Sequence, residues 1–262
     1  MANKKRWVET DQGHGIVSIA VSGWKHFPTL IHEEFSDTKA YVWRGQRCSD
    51  WPLQTSLQRR LPGRIGKPEM WAKSHLHRFQ YATRGRRGST PVELKEDNDW
   101  WALGQHFGLG TPLLDWTTSP FVASYFAFRD TGANQTDTRA VYALHQQLVR
   151  SKSITLRKKA TPENNSAMDF VRPHSDENAR LVNQAGLFTR SPMTYPSIES
   201  CVREFFRSDT QTRVLIKITI PDVGREEALR MLNRMNINDL TLFPDLGGAA
   251  TFTNMHLEIP KY

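Results

Sequence analysis

Apolar residues first recur at helical spacing at Trp24, Phe27, Ile31 and Phe35, which predicts an amphipathic helix over about residues 22–36. The β-prone run Tyr41 to Arg44, closed by Gly45, predicts a short strand. Lys67 to Thr83 reads as a second helix with Ala72, Leu76 and Phe79 on one face. A loop rich in Gly and charge follows at 84–99, then a third helix from Asn98 to Phe107, ended by Gly108. Leu113 to Thr117 predicts a strand, and Ser119-Pro120 a helix start, with Ser as N-cap and Pro at the first helical position. Phe121, Val122, Tyr125 and Phe126 make that helix nearly all apolar, hence buried. After a polar turn at Asp130 to Thr138, strands are predicted at Ala140–Leu144, Leu187–Thr189 and Val214–Ile220. Pro221-Asp222 ends the last strand, and Glu226 to Met235 predicts the last clear helix. The polar, irregular stretch 151–178 is predicted to be a mobile loop. Without internal repeats or an obvious linker, the pattern predicts one α+β domain over residues 1–262, with its core at about 20–250.

Composition narrows this picture. The 262 residues are 38% hydrophobic, with 8 Trp and 13 Phe, enough for one substantial core. Cys48 and Cys201 form no metal-ligand pattern and no disulfide framework, so no metal is expected and a reducing, cytoplasmic setting is. The basic, polar start lacks the apolar stretch of a secretory signal, and no apolar run approaches the ~20 residues of a membrane helix. The formal charge of +8 is clustered: Arg59, Arg60, Arg64 and Lys67; Arg84, Arg86 and Arg87; Arg150, Lys152, Arg157, Lys158 and Lys159. Arg84, Arg86, Arg87, Lys158 and Lys159 are candidate nucleic-acid contacts, although an acidic protein partner would satisfy the same charges.

Four segments place polar groups where chemistry could occur. Arg44 sits between Trp43 and Gly45 on a strand expected to be buried, and a buried Arg needs a partner. From spacing alone an internal ion pair explains it better than a phosphate ligand, although the guanidinium fork suits phosphate and Gly45 would let a ligand approach the backbone. In Gln105 to Pro120, His106 is a candidate acid or base or a satisfied cap, Asp115 is expected to be buried and hydrogen-bonded, and Ser119 is most simply an N-cap. The same helix start could present free N–H groups to an anion. Gln184, just before the Leu187 strand, could pin a ligand hydroxyl or cap backbone groups. Leu242 to Gly248 reads as a turn into a helix with Asp245 as cap. No phosphate-binding Gly loop, dinucleotide fingerprint, zinc-protease or nucleophile-elbow motif is found.

Taken in order, these segments resemble the FRG domain. Arg44-Gly45-Gln46 is followed by Trp51-Pro52-Leu53, Ser56-Leu57 and Arg59. The Gln-His-x-Gly-Leu…Leu-Leu-Asp-Trp-Thr-x-x-Pro…Phe-Ala block matches Gln105 to Ala127, Arg-x-x-x-Gln-x-Gly-x-Phe matches Arg180 to Phe188, and Leu-Phe-Pro-Asp-Leu matches Leu242 to Leu246. Two departures are Gly110-Thr111-Pro112, where the family has Pro-Thr-Arg, and Gly247-Gly248, where it often has Asp-Gly.

The family layout is similar to that of ADP-ribosyltransferases, which implies a split β-sheet core with flanking helices and NAD as substrate. It implies Arg44, Ser119 and Gln184 as catalytic residues. Contacts to NAD would come from Tyr41, Arg44, Gly45, Gln46, His106, Asp115, Trp116, Thr117, Thr118 and Ser119, with Trp43 or Trp116 as aromatic platform. No Glu-x-Glu precedes the Leu187 strand, so Glu199 and Glu204 are nearby alternatives to Gln184. The chain also resembles the toxin of phage-defence toxin–antitoxin–chaperone systems. That implies mono-ADP-ribosylation of RNA, messenger RNA in particular, partnership with a protein antitoxin and a SecB-like chaperone, and no membrane. The other readings are ADP-ribosylation of protein, NAD hydrolysis, and a non-enzymatic nucleic-acid or partner-binding module.

Overall fold

The structure is a computed structural model that describes residues 6–61, 67–132, 136–159, 167–173, 179–208 and 213–262. In chain order its elements are β1 (Trp7–Asp11), β2 (Ile16–Val21), α1 (Phe27–Phe35), β3 (Tyr41–Gln46), α2 (Ser56–Arg60), α3 (Pro68–Ala82), α4 (Asp97–His106), β4 (Leu113–Thr117), α5 (Pro120–Phe128) and β5 (Thr138–His145). There follow α6 (Gln146–Lys158), β6 (Asp169–Val171), α7 (Ala179–Asn183), β7 (Gly186–Arg190), α8 (Ile198–Phe205), β8 (Leu215–Pro221), α9 (Arg225–Arg234), α10 (Asp239–Leu242) and α11 (Leu246–Glu258). The fold is α+β, as the periodicity predicts.

The strands form one eight-stranded sheet in the order β1-β2-β8-β5-β3-β4-β7-β6. β2 pairs parallel with β8, and the other pairs are antiparallel. Continuous register joins β3 to β5, from Tyr41↔His145 to Gln46↔Ala140. Between β3 and β4 a single register pair remains, Trp43↔Thr117. The sheet therefore parts along one side of β3, and strand ends there can hold side chains that a full ladder would cover.

One face of the sheet carries α1, α5 and α9. Phe27, Leu30, Tyr125, Phe128, Leu229 and Leu232 bury there against Val141, Ile216 and Ile218. The other face carries α6 and α8, with Val149, Cys201, Val202 and Phe205 against Val42, Leu144 and Leu187. A third cluster packs α2, α3 and α4 around Leu57, Leu76 and Trp101 against Leu113 and Phe188. Each fully buried Leu, Ile or Phe contributes on the order of 2 kcal/mol.

The helix α5 starts as its sequence dictates. Ser119 is extended (φ −104°, ψ 120°), its Oγ accepts from the Val122 N–H at 3.3 Å, and Pro120 fills the first turn. At its far end the buried Arg139 donates to the carbonyls of Ala127 (2.6 Å) and Asp130 (3.0 Å) and pairs with Asp222. A cation thus closes the helix where its carbonyls lack partners.

Two expectations are corrected. The stretch expected as an irregular loop begins inside α6, where Val149 and Ser153 are buried and Leu148 and Leu156 flank them. Ser153 interrupts the apolar stripe, but its Oγ accepts from the Met168 N–H at 3.1 Å and so fastens the returning chain. The parts of that stretch at 160–166 and 174–178 lie outside the described residues, as does Arg64. The helix 226–235 is also not the last: α11 follows the turn at Leu242 to Gly248, and Asp245 caps it as expected, its Oδ1 accepting from the Gly248 N–H at 3.0 Å. Among the described residues no helix is long and apolar enough to cross a membrane.

Candidate functional site

A cleft of about 810 Å³ opens where β3 and β4 part. That volume lies in the range of small-molecule and cofactor sites. Its floor is β3. Strand alternation sends Arg44 and Gln46 to one face and Trp43 and Gly45 to the other. Arg44 lies opposite Tyr142 of β5. Its Nη1 donates to the Asp115 carbonyl at 2.9 Å and lies 3.7 Å from the Asp115 carboxylate. Its Nε is buried without a hydrogen-bond partner among the described residues. Burial pushes the Arg44 guanidinium below its ordinary value, with Asp115 opposing that shift and Arg59 adding to it. A guanidinium stays protonated, so Arg44 is a cation held largely out of water, 21% exposed, beside the Asp115 carboxylate.

Asp115 is not buried as expected. Its side chain is 61% exposed, although it is hydrogen-bonded as expected, accepting from Gln105 Nε2 at 2.7 Å. The cause is the β3/β4 seam: with one register pair there, the Asp115 position opens into the cleft instead of lying under a neighbouring strand. Gln105 is held in turn by the Thr111 hydroxyl. His106, beside Gln105 at the end of α4, lines the cleft half-buried, with its ring edge-on to Phe107 at 4.8 Å.

The opposite wall comes from distant segments. Arg129 and Arg180 flank the Phe243 ring at 4.7 and 5.5 Å. Arg129 pairs with the buried Asp239 at 2.8 Å, and Arg180 with Asp245 at 2.6 Å. The Asp239 carboxylate also accepts from the Tyr125 hydroxyl at 2.6 Å, and burial with that bond pushes the phenol pKa far up. Gln184 lines the cleft and donates from Nε2 to the Leu242 carbonyl at 3.2 Å. At the cleft's other end the Arg47 guanidinium lies 5.0 Å over the exposed ring of Trp51, with Arg59 nearby. Among the described residues neither Arg47 nor Arg59 pairs with a carboxylate. The cleft is thus cationic, with aromatic surface at both ends.

Of the other expected residues, Trp43, Gly45, Trp116 and Thr117 line the cleft, whereas Tyr41, Thr118 and Ser119 do not. Gly45 does line the cleft, but the room its missing side chain leaves is taken by α5: a Cβ there would lie 1.9 Å from the Ala123 carbonyl oxygen and 2.6 Å from the Ala127 nitrogen. Tyr41 donates to the Arg213 carbonyl at 3.1 Å and packs edge-on to Phe35, outside the cleft. The Thr117 hydroxyl donates to the Gln184 carbonyl at 2.7 Å, tying β4 to the turn before β7. Thr118 is exposed, and Thr118 and Ser119 are not among the cleft-lining residues. Trp43 and Trp116 touch the cleft but are buried, and Trp116 Nε1 donates to Thr189 at 2.9 Å. The accessible aromatic surface comes instead from the exposed Trp51 and the partly buried Phe126 and Phe243.

Glu199 is spent on the Leu53 N–H (3.0 Å), and Glu204 pairs with Arg207 on the surface. Arg84, Arg86 and Arg87 close the end of α3, where Arg84 lies over Tyr81 and Arg86 and Arg87 donate to backbone carbonyls. Lys158 and Lys159 sit at the end of α6. None of these five lines the cleft. Residues that sequence reasoning did not assign to the site are Arg47, Arg59, Gln105, Arg129 and Phe243. Arg59, Gln105 and Phe243 are themselves motif residues and Arg47 and Arg129 stand close to motif segments, but the convergence itself is tertiary.

No curated protein and no solved structure matches the chain. The FRG domain family model matches residues 39–136, the segment that runs from β3 through the loop and α2 to β4 and α5 and so supplies the cleft's floor, Asp115 and Arg129.

Proposed function

We propose that the cleft binds NAD and that the chain transfers ADP-ribose from it to RNA. The observation that carries this reading is the Arg44 guanidinium on the cleft floor, charged, enclosed and with Nε unpartnered among the described residues. A diphosphate satisfies such a group through parallel charge-assisted hydrogen bonds. Trp51 and Phe243, at the two ends, offer surfaces for the ring systems of a dinucleotide.

In the reaction the bond between ribose C1′ and the nicotinamide nitrogen breaks, and its electron pair leaves with nicotinamide. The acceptor nucleophile then bonds to C1′ and gives up its proton. Positive charge builds on the ribose in between, and a carboxylate stabilises it. Asp115 is the cleft carboxylate fixed beside Arg44, steered by Gln105. Gln184 contributes a neutral acceptor on the far side. RNA as acceptor fits the net charge of +8 and the carboxylate-free Arg47 and Arg59 beside Trp51, an arrangement suited to a single strand. A toxin of this kind would be restrained by an antitoxin, acidic where it covers the cleft.

Incubation with labelled NAD in separate RNA, protein and buffer-only samples tests the proposal. Label is expected on RNA and lost in Arg44→Ala. Label on protein, or free ADP-ribose in buffer, would redirect the activity to the corresponding acceptor. RNA binding that weakens steeply with salt, without NAD turnover, would make the chain a binding module.

A further inference from the structure

Gln46 carries a second unsatisfied group. Its side chain is 8% exposed and lines the cleft. Nε2 donates to the Pro52 carbonyl at 3.4 Å, which fixes which end of the amide is which, because a carbonyl accepts only from the NH₂ side. Oε1 is therefore the other end, and it is buried with no hydrogen-bond partner among the described residues. Two positions back on the same strand face, Arg44 Nε is buried and unpartnered in the same cleft. Same-face neighbours on a strand stand about 7 Å apart. Buried polar groups are seldom left unpaired, because each orphan is destabilising. Here an orphan donor and an orphan acceptor are adjacent on one strand, buried on two residues that line one cavity.

We propose that Gln46 is a recognition residue: its Oε1 accepts a hydrogen bond from an N–H or O–H group of the same nucleotide whose anionic group Arg44 holds. A ligand that offers only negative charge would satisfy Arg44 and leave Gln46 unpaired. Inorganic phosphate or pyrophosphate is thus a poor occupant, and a nucleotide a good one. The identity of the nucleotide rests on the NAD reading. In NAD the donor can be the carboxamide N–H of the nicotinamide, the adenine amino group or a ribose hydroxyl.

Calorimetric titrations of wild type and Gln46→Met with NAD, deamido-NAD (carboxylate in place of carboxamide) and ADP-ribose separate these sources, with thermal melts of the free proteins alongside. Methionine keeps the length and removes both polar ends. Gln46→Leu is the second variant should Gln46→Met fail to fold. The free variant is expected to melt at or above wild type, because an unpaired acceptor is gone, and to bind NAD roughly ten-fold more weakly. If the carboxamide is the donor, wild type disfavours deamido-NAD and the variant loses that discrimination. If a ribose hydroxyl or the adenine amino group is the donor, ADP-ribose weakens by the same factor as NAD. A variant that melts lower and binds both ligands as tightly as wild type would give Gln46 a structural role and overturn the proposal alone. Failure of wild type to bind either ligand would overturn the NAD reading and this proposal with it.

Discussion

Gly45→Ala separates a helix-packing glycine from a ligand-facing one. The sequence places Gly45 beside Arg44 and suggests room for a ligand, whereas in the fold that room holds the backbone of α5. An alanine Cβ would stand 1.9 Å from the Ala123 carbonyl oxygen, 2.6 Å from the Ala127 nitrogen and 3.0 Å from the Ala123 carbonyl carbon. All are helix backbone, so no flexible side chain can swing away. Relief requires α5 to move outward by about an ångström, away from Trp43 and Val141 of the core it shares. Overpacking of this kind costs about 3 kcal/mol. For a chain of this size that lowers Tm by about 6–12 °C. Urea unfolding of Gly45→Ala, followed by tryptophan fluorescence, should show a midpoint decrease with an unchanged slope. The affinity for NAD of the fraction still folded should fall modestly, because Arg129 at the cleft wall directly follows α5. A variant with wild-type stability and abolished ligand binding would refute this account, since it would mean that a ligand, not α5, fills the space beside Gly45.

Three further outcomes follow from the contacts around the cleft. Ser119→Ala removes the α5 N-cap and should destabilise by about 1 kcal/mol in urea unfolding, while NAD affinity stays within about two-fold of wild type; a large affinity loss at unchanged stability would return Ser119 to the site. Asp239→Ala leaves Arg129 and the Tyr125 hydroxyl without their shared carboxylate and should destabilise by about 3 kcal/mol; the same unfolding assay contradicts this if the variant is neutral. His145 caps α6, its Nδ1 accepting from the Leu148 N–H at 3.3 Å, and burial holds its imidazole below the ordinary value. The stability it supplies is therefore full above about pH 6.5 and is lost as pH falls below that, where the unfolded chain takes up the proton first. His145→Asn, which can cap without titrating, should flatten the stability profile below about pH 6.5.

What the chain shows on its face follows from how local each cause is. The strand at Tyr41–Gln46 and the Ser119-Pro120 helix start are written in adjacent residues, and both stand where periodicity and capping place them. The hairpin of β1 and β2 is less legible: β1 is an exposed edge, and Ile16-Val17 breaks the alternation of β2. In α6 a serine occupies a core position because its hydroxyl is used by Met168, and polarity alone reads that as loop. The ring of cleft residues is the hardest to see. Arg44 and Asp115 belong to neighbouring strands, but Arg129, Arg180 and Phe243 meet only because α5, α7 and the turn before α11 converge on one seam. Asp115 lies between Leu114 and Trp116 and so reads as buried; the parting of the sheet, a tertiary property, exposes it.

The central claim is that Arg44 holds the anionic part of NAD on the floor of this cleft. Calorimetric titration of NAD into wild type and Arg44→Ala, both shown folded by thermal melts, tests it most directly. Saturable binding by wild type and an affinity loss of at least ten-fold in Arg44→Ala is the predicted result, as expected for removal of a charge-assisted contact worth about 1.5–3 kcal/mol. Equal NAD affinity in the two proteins, or no binding by wild type, would contradict it.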